Sequence, residues 1–165
     1  MLRSAVLLSL IVLVAAAPGV AAPPKQGLLV PGRSLGGIEL GSTRAQVRSA
    51  WGTRFGRCRG CADPTWYFNL RRFQPAGAGV EFVNDRVAAV FTIWSPPGWR
   101  TTRGLRLGES SARITAVYGP LKRLSCNETL SVLTLPRGSA HTLFYVVDDQ
   151  LWGFGLTRPD VPACR

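Results

Sequence analysis

Two windows of the chain carry the same spacing of apolar and polar positions. Gly37-Ile-Glu-Leu-Gly-Ser-Thr-Arg-Ala-Gln-Val-Arg-Ser-Ala-Trp-Gly52 aligns without gaps on Gly104-Leu-Arg-Leu-Gly-Glu-Ser-Ser-Ala-Arg-Ile-Thr-Ala-Val-Tyr-Gly119, at an offset of 67. Five positions are identical, where chance would give about one, so the pattern reads as an internal repeat. In each copy a short alternating apolar piece ends at a glycine, Gly41 or Gly108, and a hydroxyl residue follows. Thr43 with Gln46 has the spacing of a capping box, and Ser110 or Ser111 takes that place in the second copy. Val47 and Trp51, like Ile114 and Tyr118, are four residues apart and share one helix face. Ala45 and Ala112 are expected to allow close approach to the layer beneath. Gly52 and Gly119 end the helices, and Pro120 follows the second. Helices this short are unstable alone, so they are expected to dock on a sheet.

Period-2 runs follow each helix. In the first copy they are Thr65–Leu70, Gly79–Val83 and Arg86–Ile93, with a hairpin turn at Asn84-Asp85. In the second they are Thr129–Leu135, Thr142–Val147 and Gln150–Leu156, with a turn at Asp148-Asp149. Ser95-Pro96-Pro97-Gly98 reads as the linker between copies. The predicted fold class is α+β: two pseudo-repeats, each a short helix and a three-stranded antiparallel meander. They share one sheet of about six strands with both helices on one face. The predicted divisions are a signal peptide at 1–22, a flexible segment at 23–35, and repeats at 36–100 and 101–165.

The first 22 residues set the expected compartment. Arg3 precedes an uncharged apolar run from Ala5 to Ala17, which is shorter than the ~20 residues of a spanning helix. Pro18-Gly19 breaks it, and the small residues Ala21 and Ala22 suit a cleavage site. A secreted or cell-envelope protein without a transmembrane helix in its mature form is expected. The four cysteines, Cys58, Cys61, Cys126 and Cys164, fit an oxidising compartment. Of the three possible pairings, Cys58–Cys61 as a short clip and Cys126–Cys164 as a tie on the C-terminus are favoured. Cys58-x2-Cys61 also has the spacing of a zinc knuckle, but no second knuckle is present. A thiol-disulfide site is a further reading, since Arg57 and Arg59 would favour a thiolate. The motif lies in a Gly/Arg/Asp/Pro-rich connection rather than at a helix start.

At this length, 165 residues with 46% hydrophobic, the chain holds one compact domain or two very small ones. Its 20 Lys+Arg against 9 Asp+Glu leave a formal net charge of +11. Arginine dominates these cations, and its fork matches carboxylate and phosphate. Anionic wall polymers, lipid headgroups or acidic proteins are the available partners outside the cytoplasm, and nucleic acid is not expected. The densest clusters are Arg54, Arg57 and Arg59, then Arg71 and Arg72, then Arg100, Arg103 and Arg106.

No nucleophile-base pair stands out. His141, the single histidine, sits in a turn entering a strand. Phosphate loops, His-Glu-x2-His and Gly-x-Ser-x-Gly are absent from the sequence, and no cofactor is implied. A sheet with helices on one face leaves the other open. A partner-binding face is therefore expected from Trp66, Trp94, Trp99 and Trp152 with Arg71, Arg72 and Arg100, residue types enriched at interface hot spots. The expected function is a non-enzymatic module that recognises an envelope or extracellular protein. A basic polyanion or cell-wall binder is the alternative, and a thiol-disulfide protein the third reading.

The run Gly37-Ile-x-Leu-Gly-Ser-Thr-Arg-Ala-Gln-Val-x3-Trp-Gly52 resembles the helix-opening motif of the SmpA/OmlA outer-membrane assembly lipoproteins. It also resembles the tandem units of the β-lactamase inhibitor proteins. The resemblance implies a small helical element on an antiparallel sheet, protein binding, and one disulfide per unit. It covers mainly the two 16-residue windows. The lipoproteins' modified cysteine and the inhibitors' target-inserting loop have no counterpart, so no inhibitory residue is carried over.

Overall fold

The computed structural model describes residues 27–69, 77–93 and 98–164. The proposed signal segment, Arg71, Arg72, Trp94 and residues 95–97 of the expected linker lie outside these.

The chain is mostly β, with two helices among the described residues. A small mixed sheet comprises β1 (Leu28–Val30), β2 (Ser34–Leu35), β3 (Ile38–Glu39) and β8 (Arg100–Thr101), in the order β3-β2-β1-β8. Its β1–β8 pair is parallel. The large sheet is antiparallel and has eight strands. They are β4 (Gly56–Arg57), β5 (Thr65–Asn69), β6 (Gly77–Val83), β7 (Arg86–Ile93), β9 (Lys122–Ser125), β10 (Leu130–Arg137), β11 (Ala140–Val147) and β12 (Gln150–Thr157). Their spatial order is β4-β5-β6-β7-β12-β11-β10-β9, so β7 and β12 join at the centre. Helices α1 (Arg44–Trp51) and α2 (Ser111–Tyr118) complete the fold.

This corrects the expected α+β architecture of two helix-plus-three-strand units on one sheet of about six strands. The missed strands carry no readable alternation. β4 has two residues, and all four residues of β9 are exposed. The small sheet is made of two- and three-residue pieces held by backbone pairing around glycine turns. The stretch 23–35, expected to be flexible, contributes β1 and β2, and Leu29 and Leu35 are buried there.

Local chemistry explains the elements that were legible. Thr43 caps α1: its hydroxyl accepts from the Gln46 N–H at 3.1 Å, and Gln46 Oε1 accepts the Thr43 N–H at 2.7 Å. Ser110 caps α2 through the Arg113 N–H at 3.2 Å. Both helices end in a glycine at φ 84°, ψ −174°, a region in practice open only to glycine. Asn84-Asp85 and Asp148-Asp149 have positive φ at both residues, as a two-residue I′ hairpin turn demands. Each helix start is also latched to the hairpin of its own half. The Gly41 N–H donates to Val87 O at 2.8 Å and the Val87 N–H to Ser42 O at 2.9 Å. In the second half, Gly108 N–H donates to Leu151 O at 2.8 Å and Leu151 N–H to Glu109 O at 2.7 Å.

The main core lies between the large sheet and the layer formed by the helices and the small sheet. Val47, Trp51 and Ile114 enter it from the helices, as their spacing predicts. Trp51 meets Phe68 and Trp99 edge-on, with centroids 5.3 and 6.1 Å away, and its Nε1–H donates to Gly36 O at 2.8 Å. Ala45 and Ala112 are exposed and touch no layer beneath, because they lie off the Val47–Trp51 and Ile114–Tyr118 stripes.

The opposite face is not left open. The C-terminal segment crosses it: Val161 packs on Ala88 and Ala89, and Ala163 on the cluster of Phe91, Val132, Leu143 and Tyr145. The Cys126–Cys164 disulfide holds this segment down. Glycine lets the aromatic rings lie flat there. A Cβ at Gly79 would come within 2.4 Å of Phe91, and one at Gly155 within 3.2 Å of Tyr145.

Candidate functional site

Five arginine and aromatic residues meet where α1 crosses the outer strands of the first half. Trp66 on β5 and Phe82 on β6 face the helix layer, with ring centroids 4.7 Å apart. Phe55, just before β4, stacks on Trp66 at 3.9 Å. Arg44 and Arg48 are four residues apart on α1, so they share a face. The Arg44 guanidinium lies 4.4 Å from the Phe82 centroid and 5.2 Å from that of Trp66, and Arg48 lies 5.6 Å from Trp66. Such contacts contribute about 0.5–2 kcal/mol, more as water is excluded. Trp66 is 2% exposed under this cover.

The cluster is short of anions. Arg44 donates to Asp85 at 2.8 Å. Arg48 and Arg57 make no ion pair among the described residues. Arg57 is the register partner of Trp66, so its side chain leaves the sheet on the same face as Trp66. Two guanidiniums thus lie on one aromatic base with one carboxylate, and a third arginine leaves the edge strand on the same sheet face. Arg54 and Arg59, nearby in the chain, are exposed.

The fold itself does not call for this arrangement. By the offset that aligns the two helix motifs, Ser111 and Thr115 stand where Arg44 and Arg48 do. The strand register places Leu133 where Trp66 does and Val146 where Phe82 does. The second half packs equally well with these residues: Leu133 and Val146 are buried in the same core. A cation in the first turn of α1 also opposes the helix dipole, which favours acids there.

The expected tryptophan face is not formed by the residues described. Trp66 and Trp99 are buried on the helix side, at 2% and 1% exposure, where hydrophobic burial competes with any partner. Trp152 is half-buried, and Arg100 is exposed on the small sheet. These residues do not share one surface. Arg44, Arg48, Phe55 and Phe82 were not singled out from the sequence; Arg44, a cation in the first turn of α1, was the readable signal. The cysteines form Cys58–Cys61 and Cys126–Cys164, and none is free.

Elsewhere, Arg103 lies 5.3 Å from the Tyr118 ring and donates to Val117 O at 2.8 Å. Burial raises the Tyr118 pKa above its ordinary value, against smaller lowering effects of Thr101, Arg103 and Arg137. Arg158 and Asp160 form an exposed pair, and the hydrogen bond from Arg158 holds the Asp160 carboxyl below its ordinary range. A shallow groove beside β9 is lined by Arg123, Asn127, Glu128, Asp148 and Asp149 and mixes both charge signs.

The sequence matches no protein-family model and no curated protein. Among solved structures, the chain is similar to a DUF4309 family protein (YjgB) from Bacillus subtilis subsp. subtilis str. 168. The identity is 14% and the TM-score 0.46, with 71% of this chain and 78% of that one covered. It is also similar to an extracellular protein containing a SCP domain from Bacillus anthracis str. Ames, at 12% identity and TM-score 0.42. That match covers 73% of this chain and 44% of the other. Neither mentions the inhibitor or lipoprotein units that the helix motif resembles.

Proposed function

We propose that this is an exported binding module whose arginine-aromatic surface around Trp66 holds a phosphate-bearing anionic polymer of the cell envelope. The observation that carries this reading is the placement of Arg44 and Arg48 over Trp66 and Phe82, with Arg57 on the same sheet face and Asp85 as the paired acid. Arginine forks match phosphate oxygens bidentately, and the aromatic base holds the guanidiniums without neutralising them. The net charge of +11 adds long-range attraction for such a polymer. Export is supported by the N-terminal sequence pattern and by two disulfides. Among the described residues, no helix is long and apolar enough to cross a membrane.

Binding to long-chain polyphosphate, titrated at several salt concentrations, tests the reading. Affinity should fall steeply with salt. An Arg44→Gln/Arg48→Gln/Arg57→Gln variant should bind at least about tenfold more weakly, with a salt slope reduced by about one per arginine removed. Unchanged affinity and slope in that variant, with its fold intact by circular dichroism, would overturn the proposal. The protein-partner reading, which relied on exposed tryptophans, has no comparable surface among the described residues.

A further inference from the structure

The two disulfides sit in opposite surroundings. Cys126 is half-buried against the Phe91, Val132, Leu143 and Tyr145 cluster, and its partner Cys164 anchors the segment that covers that face. Cys58 and Cys61 lie at the outer edge of the large sheet, between β4 and β5, in a connection without regular structure. Cys58 is half-buried and fixed: its N–H donates to Thr65 O at 3.0 Å. Cys61 is exposed at the tip, with its Sγ 3.9 Å from the Tyr67 hydroxyl. Arg57 and Arg59 flank Cys58, are exposed, and make no ion pair among the described residues. Asp63, the acid in the same connection, acts electrostatically on Arg158.

We propose that Cys58–Cys61 is a redox-active site that oxidises peptide dithiols, while Cys126–Cys164 is structural. The site shares Arg57 with the proposed anion surface, but its chemistry does not rest on that reading. A substrate thiolate attacks the exposed Cys61 Sγ and forms a Cys61–substrate mixed disulfide. The Cys58–Cys61 bond breaks, and its electron pair leaves on Cys58 as a thiolate. A low-pKa leaving thiol departs faster, and the neighbouring cations stabilise that thiolate. The second substrate thiolate, having lost its proton to solvent, then attacks the substrate sulfur of the mixed disulfide. It forms the substrate disulfide and expels Cys61 as a thiolate. The peptide dithiol loses two electrons and the Cys58–Cys61 pair gains them. No helix dipole aids the site, so the arginines supply the positive field that a helix N-terminus supplies elsewhere. The three-residue separation means that opening the bond releases little chain, so the fold survives each reduced state.

The test uses the full-length oxidised protein and a reduced synthetic peptide with two cysteines. Acid quenching, alkylation and peptide mass spectrometry then locate the thiols. Thiols should appear at Cys58 and Cys61 while Cys126–Cys164 stays closed, with one oxidised peptide per protein. Arg59→Gln, outside the proposed anion surface, should slow the transfer by about threefold at low salt. A Cys58→Ser variant given the oxidised peptide should accumulate a Cys61–peptide mixed disulfide, and Cys61→Ser should trap much less at the half-buried Cys58. The proposal fails if Cys126–Cys164 opens first, or if no oxidised peptide forms. It fails equally if the two serine variants trap peptide alike.

Discussion

Removing Cys126–Cys164 should cost far more stability than removing Cys58–Cys61. The first closes a separation of 38 residues, the second one of 3. Loop-closure entropy gives about 4 kcal/mol for the first and about 1.5 kcal/mol for the second. Packing widens the gap, because the first bond also pins Val161 over Ala88 and Ala89 and Ala163 over the Phe91 cluster. For a domain of this size, whose total stability is about 5–15 kcal/mol, losing about 4 kcal/mol should lower the melting temperature by roughly 10–15 °C. Urea titration of Cys126→Ser/Cys164→Ser and of Cys58→Ser/Cys61→Ser, followed by tryptophan fluorescence and far-UV circular dichroism, measures both differences. Coincident transitions by the two probes would license a two-state fit. Equal losses in the two variants, or a larger loss for the short clip, would refute the reasoning that the C-terminal tie closes the second face.

Gly79→Ala should destabilise by about 1–3 kcal/mol through overpacking, because the new Cβ would meet Phe91 at 2.4 Å. Gly60→Ala, with nothing within 4 Å of the new Cβ, should stay within about 0.5 kcal/mol in the same urea titration. Thr43→Ala should cost about 1 kcal/mol by removing the side-chain acceptor that closes the α1 capping box, read as a shift in urea midpoint. Tyr118 has a folded pKa raised above its ordinary 10.0, chiefly by burial. Its contribution is therefore fully present below pH 10 and is lost as pH rises through the folded value. The wild type should lose more stability between pH 9 and pH 11 than Tyr118→Phe; parallel losses would contradict that cause.

The sequence alone determined what short-range chemistry controls. Thr43, Gln46 and Gly52 mark one helix, and Ser110 and Gly119 the other, because caps depend on a few neighbouring residues. The turns at Asn84-Asp85 and Asp148-Asp149 were legible because two residues of positive φ select a small set of side chains. The central strands β6, β7, β11 and β12 announced themselves by period-2 runs flanking the two acidic turns. An even cysteine count pointed to two disulfides, and of three possible pairings the structure has the favoured one.

Tertiary structure decided the rest. β4, β9 and the small sheet exist through backbone pairing with neighbouring strands, and in the β1–β8 pair with a distant one, while their own residues have no apolar period to betray them. Trp66, Trp99 and Trp152 look alike in a sequence, yet the core takes the first two because helix and sheet enclose them there. The far face of the sheet is closed by a tail whose Val161 and Ala163 reach their partners only after the fold has brought β7, β10 and β11 together. The arginine-aromatic cluster is of the same kind. Arg44 and Arg48 come from a helix, and Trp66 and Phe82 from two strands, so only three-dimensional packing brings their charges onto one aromatic base.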